Sequence, residues 1–518
     1  MIDIFFTLVV FFITSLLYFY SISGYGKILA NKDSNYFETY LDGTIILLIL
    51  SYLIYLTFGT NVVINIIIIS VGLILHFKLK NEYKIISNKN IIFLLLSVFS
   101  VLIISKTHED FNGYHFFSIF EIFNHNLRIG VSNLNEKFFH SSLLALNQAI
   151  VVLPYLNFKL VHLPTFFIYF CTIGYFITIL FSKNTNGSEV FYSFLCLFIL
   201  LIKFNRLSEY GYDYISQFIL LIIFHKIYFL NSDNNEIIKS ILYFLLSILI
   251  KPISLLFLPI MIFIFYKKGF FFYKNISRSK YFLIFSLLII LFSSSLFKTG
   301  CFFYPVNKTC FTVDNITWSE KELVKKHSTL VTLWAKKYYA QDLSKYKKIE
   351  DKKLYEQNFR WIKFWIDQHF FYKVFEFLLI IFVSIIIIYI YFTKDKTRLN
   401  KNNKDKVILL FLSFLSILFW FNTIPQFRFG FSSIIIFMYL LFDFILGLNI
   451  YFDKKKFFHI LILGLLILNI KNINRIHSEL DRDDFYKFKD FPFYNEIEVK
   501  NDYSNLDIEK FLHIEILK

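Results

Sequence analysis

A chain of 518 residues with 56% apolar and 18% charged positions, and a mean hydropathy of +0.56, holds far more hydrocarbon than a soluble core of that length needs. Its formal charge of +16, from 54 basic and 38 acidic residues, sits largely in short loops between apolar runs. A charge placed that way follows the rule for membrane orientation and does not imply a nucleic-acid role.

In chain order, apolar runs occur at Ile4 to Ile22, Gly43 to Phe58, Ile91 to Ser105, Leu160 to Phe181, Val374 to Phe392 and Phe431 to Ile450. Most approach the ~20 residues that cross a ~30 Å hydrocarbon layer as helix. The first run lacks a basic start and a small-residue cleavage site, so we read it as a permanent span and not a signal peptide. Ser141 to Asn157 is apolar but short and contains Pro154; the expectation is a helix lying on the outer surface. Lys251-Pro252 interrupts the run 237–266 and predicts two short helices meeting near the outer face. The 70 Phe and 34 Tyr accompany much Ile, Asn and Lys, the protein-level shadow of AT-rich codons, so aromatic clusters carry little weight.

Orientation follows from basic residues in short loops. Loops 78–89, 267–280, 394–406 and 451–456 carry four, five, six and three basic residues against one, none, two and one acidic. Placing all four in the cytoplasm puts 106–159, 205–213, 298–373, 422–430 and the tail from Lys471 outside. The fold class is all-α: a polytopic membrane protein of about fourteen helices with both termini out. We divide it into N-terminal spans 1–90, a core 91–297 with outer loop 106–159, a long outer loop 298–373, C-terminal spans 374–470 and an outer tail 471–518. The long loop is basic, with fifteen Lys or Arg against eight Asp or Glu, but long loops are largely exempt from the charge rule. Cys301 and Cys310 lie in that loop and either form a disulfide, as an outer location permits, or remain free thiols. Cys171 and Cys196 fall within spans as small packing residues.

Ionisable residues beside spans are costly and so mark candidate sites. The richest group runs from Thr107-His108-Glu109-Asp110 through Tyr114-His115 to Arg128, Asn133, Asn135, Lys137 and His140. The adjacent carboxylates Glu109 and Asp110 can take a proton from a hydroxyl or coordinate a divalent cation; equally, the group can cap and solvate a helix end. Asp213 stands at the start of a later span, as a site residue or as a cap. Lys251 either faces a site or snorkels, and Arg428 offers a fork of donors to a phosphate or anchors the interface. A metal set of His108, Glu109, Asp110, His115 and His140 has no diagnostic spacing, so no metal is assigned and a divalent cation stays open as a cofactor. If the reading holds, Asp110, Asp213, Lys251 and Arg428 share one cavity.

These landmarks resemble the GT-C superfamily of membrane glycosyltransferases and, more narrowly, a group of uncharacterised bacterial polytopic proteins related to it. The likeness rests on Asp110 with Tyr114-His115, Gly130, Asn133-Leu134 and Ser141-Ser142, then Tyr212-Asp213 and Lys251. It continues through Tyr304-Pro305, Asp314, Trp318 and Arg428-Phe429-Gly430, in the expected order from about residue 105 to 430. The sequence departs from the narrower pattern at Lys137, Phe139 and His140, where Arg, Gly and Asn are expected. The first three spans lie outside the best-matching region, as an appended module would.

The resemblance implies a multi-pass protein of the bacterial cytoplasmic membrane with its site on the periplasmic or outer face. It implies a polyprenyl-phosphate-linked sugar as donor and an envelope glycan or lipid as acceptor, with membrane lipids around it. Asp110 would be the base, Glu109 its adjoining candidate, and Arg428 and Lys251 the cations on the lipid phosphate; Tyr114, His115, Asn133 and Asp213 complete the substrate-binding set. Two rivals stand beside it: a polysaccharide polymerase or ligase of the O-antigen type, and a transporter or flippase without chemistry.

Overall fold

The computed structural model describes residues 2–29, 35–79, 88–103, 115–134, 138–139, 142–182, 185–203, 211–230, 234–269, 277–312, 316–341, 346–392, 403–447 and 454–480. Helices α1 (Ile2–Gly26), α2 (Tyr36–Thr57), α3 (Val62–Lys78) and α4 (Asn88–Ile103) come first. Three short helices follow, α5 (Phe116–Asn124), α6 (Val131–Leu134) and α7 (Leu144–Ala149). Next come α8 (Leu163–Phe181), α9 (Gly187–Lys203), α10 (Asp213–Phe229), α11 (Asn234–Ile250), α12 (Leu258–Lys268) and α13 (Arg278–Thr299). The long loop holds α14 (Lys321–Ala335) and α15 (Lys352–Glu356); α16 (Ile362–Trp365) opens a helical stretch that runs on into α17 (Glu376–Phe392), and α18 (Asn403–Thr423), α19 (Phe427–Leu446) and α20 (Lys454–Leu480) follow. Among the described residues there is no strand beyond two isolated bridges, so the fold is all-α.

Among the described residues, eight helical stretches are long and apolar enough to cross a membrane: Phe5–Gly26, Tyr36–Thr57, Phe158–Phe181, Arg278–Thr299, Ile362–Ile390, Lys404–Thr423, Phe427–Leu446 and Lys456–Asn474. Three shorter apolar helices accompany them, Val62–Lys78, Lys89–Leu102 and Gly187–Ile202. The protein is therefore a polytopic membrane protein. Helices α8 and α10 are buried almost along their whole length, whereas α13, α18 and α20 turn many apolar side chains outward, as lipid contact requires. Lipid tails supply no hydrophobic drive for helix association, so close backbone packing matters more. It is visible where Gly26 of α1 meets α2: a Cβ there would lie 1.6 Å from the Thr39 carbonyl oxygen.

The stretch from Ser142 to Val152 departs from expectation. It is not a surface helix: its single six-residue helix, α7, is wholly buried and packs against α2, α5 and α8. Irregular backbone survives in such a place only when its polar groups find protein partners. The Asn65 amide of α3 donates to the carbonyls of Ala149 and Val152, both at 2.9 Å, and the Leu143 N–H donates to the Leu249 carbonyl at 3.1 Å. Asn147 donates to the Thr44 carbonyl at 3.2 Å and Gln148 to the Val161 carbonyl at 2.9 Å. Four amide groups thus allow a non-spanning segment to sit inside the bundle.

The long loop is a folded unit. Cys301 and Cys310 are joined by a disulfide. Tyr355 donates to the Lys336 carbonyl at 2.8 Å, and Lys336 pairs with Glu356 at 2.8 Å beneath the Trp361 ring. Cys171 and Cys196 are buried thiols within α8 and α9.

Candidate functional site

At one end of the bundle, three helix termini from distant parts of the sequence meet. Asp213 is the first residue of α10, Lys251 follows the last residue of α11, and Arg428 is the second residue of α19. Lys251 Nζ lies 2.9 Å from Asp213 Oδ1, and Arg428 Nε lies 3.0 Å from Oδ2. Asp213 is buried, while Lys251 and Arg428 retain some exposure. Its side chain pairs with both cations, one on each carboxylate oxygen.

Local sequence explains each position. The ring of Pro252 forces Lys251 into extended backbone, with φ −152° and ψ 114°, so the helix stops there and the side chain is delivered at its end. Ser254 donates back to the Ser247 carbonyl at 3.1 Å and closes the break. Arg428 is presented by the turn Pro425-Gln426, which the long loop clamps from several sides. Trp365 Nε1 donates to the Pro425 carbonyl at 2.6 Å, Gln426 Nε2 to the Ala335 carbonyl at 3.0 Å, and Trp420 Nε1 to the Gln426 carbonyl at 2.8 Å. The Phe427 N–H donates to His369 Nε2 at 2.9 Å, and the Arg428 guanidinium rests 5.3 Å from the Trp334 ring centre.

Asp213 at an N-terminus and Lys251 at a C-terminus each agree with the dipole of their own helix; Arg428 at the N-terminus of α19 opposes its helix, and Asp213 offsets that cost. The surroundings are cationic. Arg428 and Lys373 lie within electrostatic range of Lys337, and burial followed by these like charges holds the Lys337 ammonium below its ordinary range. Among the described residues, one carboxylate held between two cations with a further lysine nearby leaves positive potential for an anionic ligand.

His115 belongs to the same neighbourhood. Its ring stands edge-on to Tyr212, with centroids 4.6 Å apart, and lies in electrostatic reach of Asp213. Tyr212 donates to Gln148, which ties this corner to the buried segment before α8. Gly211 has φ +51°, and a Cβ there would fall 2.3 Å from His115 Nε2, so both the backbone angle and the space demand glycine. Asn133 is placed differently: its amide donates to the Trp318 carbonyl at 2.8 Å, joining α6 to the long loop. Glu109, Asp110 and Tyr114 lie outside the described residues, as do His108, His140 and Asp314. Of the possible metal ligands only His115 is described, and no group of metal-binding side chains occurs among the described residues.

Residues 1–435 match the profile of a family described as a domain of unknown function, DUF8201. The chain belongs to this family. No curated protein and no solved structure matches it. The family match begins at residue 1 and so takes in the first three spans, in keeping with the depth at which α2 is buried.

The family region also contains a charged cluster that sequence reasoning passed over, at the opposite end of α10. Lys226 pairs with Glu38 and Glu236, and Lys239 lies 3.2 Å from Glu38 and 3.6 Å from Asp42. Tyr243 donates to Asp42 at 2.9 Å, and His225 bridges Glu189 at 3.0 Å and Tyr175 at 2.8 Å. Each residue stands within two helical turns of a loop and reads as solvated; the available signal was the i,i+4 recurrence of Glu38 with Asp42 and of Lys239 with Tyr243.

Proposed function

We propose that the protein is a membrane glycosyltransferase that moves a sugar from a polyprenyl-phosphate donor to a cell-envelope glycan or lipid at the non-cytoplasmic face. The observation that carries this is the convergence of Lys251 and Arg428 on Asp213 at one end of the bundle. Taking α1–α4, α8–α13 and α17–α20 as about fourteen passes puts the four basic loops at the opposite end, in the cytoplasm. The disulfide between Cys301 and Cys310 supports an oxidising compartment on the site's side.

In this reading the acceptor hydroxyl attacks the anomeric carbon and a new C–O bond forms as the bond to the lipid phosphate breaks. The phosphate leaves with the bonding pair, and Asp110 takes the hydroxyl proton, with Glu109 beside it. A phosphate leaving group needs positive electrostatics more than a proton, which is the part given to Arg428 and Lys251. Asp213 holds both cations in place before substrate arrives, and the clamped turn at Pro425 keeps Arg428 from collapsing onto solvent. His115, beside Tyr212 and within electrostatic reach of Asp213, is given a place on the substrate side.

A polymerase or ligase acting on diphosphate-linked oligosaccharides would use the same cations, and donor preference separates the two. A transporter needs a polar path through the bundle, yet between Gln217 and His225 helix α10 is the unbroken apolar stretch Phe218 to Phe224. The test is a deletion strain complemented with wild type, Asp110→Asn or Arg428→Gln, read by its envelope glycan and lipid profiles. Loss of a general base costs roughly 10²–10⁴-fold in rate, so Asp110→Asn should fail to restore the product. Full restoration by that variant would refute the catalytic assignment.

A further inference from the structure

Among the described residues, the cluster at the inner end of α10 is not balanced. Four carboxyl groups, Glu38, Asp42, Glu189 and Glu236, face two lysines, Lys226 and Lys239, and one histidine, His225; Tyr175 and Tyr243 complete the set. These residues come from α2, α8, α9, α10 and α11, and all but Glu236 are almost entirely buried. An excess of buried negative charge in hydrocarbon is expensive, and such groups neutralise by taking up a proton when no cation is at hand.

The geometry singles out which carboxyl does so. Glu38 is contacted by both lysines. Glu236 pairs with Lys226, retains some solvent contact and stands in the first turn of α11, where the helix dipole favours its charge. Glu189 has the same first-turn advantage in α9 and is bonded to His225. Asp42 has none of these supports. It lies in the second turn of α2, its nearest ammonium is 3.6 Å away on a lysine closer to Glu38, and its Oδ2 has no hydrogen-bond partner. We propose that this cluster is a proton-binding site, with an exchangeable proton carried on Asp42 and supplied from the inner face. The inference does not depend on the glycosyltransferase reading, because it concerns the far end of α10, 13 residues or about 20 Å from Asp213 at 1.5 Å per residue.

The test uses the purified full-length protein and the infrared carbonyl stretch of protonated carboxylic acids, recorded as pH is raised. The wild type should show a band that fades with rising pH and shifts in heavy water, and Asp42→Asn, which keeps an acceptor for Tyr243, should lose it. Tyr243→Phe removes the hydrogen bond to Asp42 Oδ1 and should move the same band to higher frequency, which serves if the first variant does not fold. A wild-type spectrum with no such band, or a band untouched by both substitutions, would overturn the proposal. Envelope profiles of the same variants are read separately, so failure of the glycosyl-transfer reading leaves this result standing.

Discussion

Replacing Asp213 with Asn removes one charge and leaves two cations facing each other. At 2.9 and 3.0 Å each ion pair is worth about 6 kcal/mol in Coulomb energy at an effective dielectric of ~20, most of which is spent on desolvation. Breaking a buried pair by removing one partner costs ~3–5 kcal/mol, and the 13% and 18% exposure of the Lys251 and Arg428 side chains argues for the lower end. We expect Asp213→Asn to lose about 3 kcal/mol and to lower Tm by roughly 3 °C. Cys171 and Cys196 provide the assay, because a thiol-reactive fluorophore reaches these buried thiols only as the bundle opens, while the disulfide stays silent. Adding Lys251→Met to the variant removes one orphaned cation and should recover part of the loss. A single variant that unfolds with the wild type, or a double variant no better than additive, would refute the electrostatic account.

The carboxyl of Glu121 in α5 gives a pH prediction: burial outweighs the attraction of Arg128 at 3.4 Å and pushes its pKa from 4.5 up to about 7. The folded state then binds the extra proton between these values, so stability is greatest below pH 4.5 and falls as pH rises through about 7. The change is at most ~3 kcal/mol, and Glu121→Gln should flatten the melting profile over that window. Reducing the disulfide across its nine-residue separation should cost about 2.5 kcal/mol in the loop-entropy account, read by differential melting with and without reductant. Gly211→Ala has to displace the His115 ring and leave an unfavoured backbone angle, so substrate turnover should fall with little change in expression; wild-type turnover would show that His115 and Tyr212 play no part in the site.

Much of the architecture was open to reading because membrane spans obey so few rules. Run length and loop charge led to an all-α polytopic protein and to a shared end for Asp213, Lys251 and Arg428, residues 215 positions apart at the extremes. All three residues sit at helix ends, next to the breaks in apolar runs that a hydropathy pattern marks to within a few residues. Packing between helices was not legible. Nothing in the run Ser141 to Asn157 announces that Asn65, some eighty positions earlier, will satisfy its carbonyls, so a surface location was the economical reading. Glu38 and Lys226 each look like ordinary loop-proximal charges until α2 and α10 are laid side by side. The fixed setting of Arg428 was hidden for a similar reason, since Trp365, Ala335 and His369 reach the Pro425 turn from a loop whose composition suggests only solvation.

The bonds from Asn65 carry a consequence for biosynthesis. Helix α3 leaves the ribosome and enters the membrane before residues 142–152 exist, so the amide that will receive the Ala149 and Val152 carbonyls is already in place when they emerge. An earlier element thereby acts as a template for a later one that has no stable resting place of its own. A chain begun after the third span would insert its remaining helices and still lack the partner that keeps this segment from the lipid.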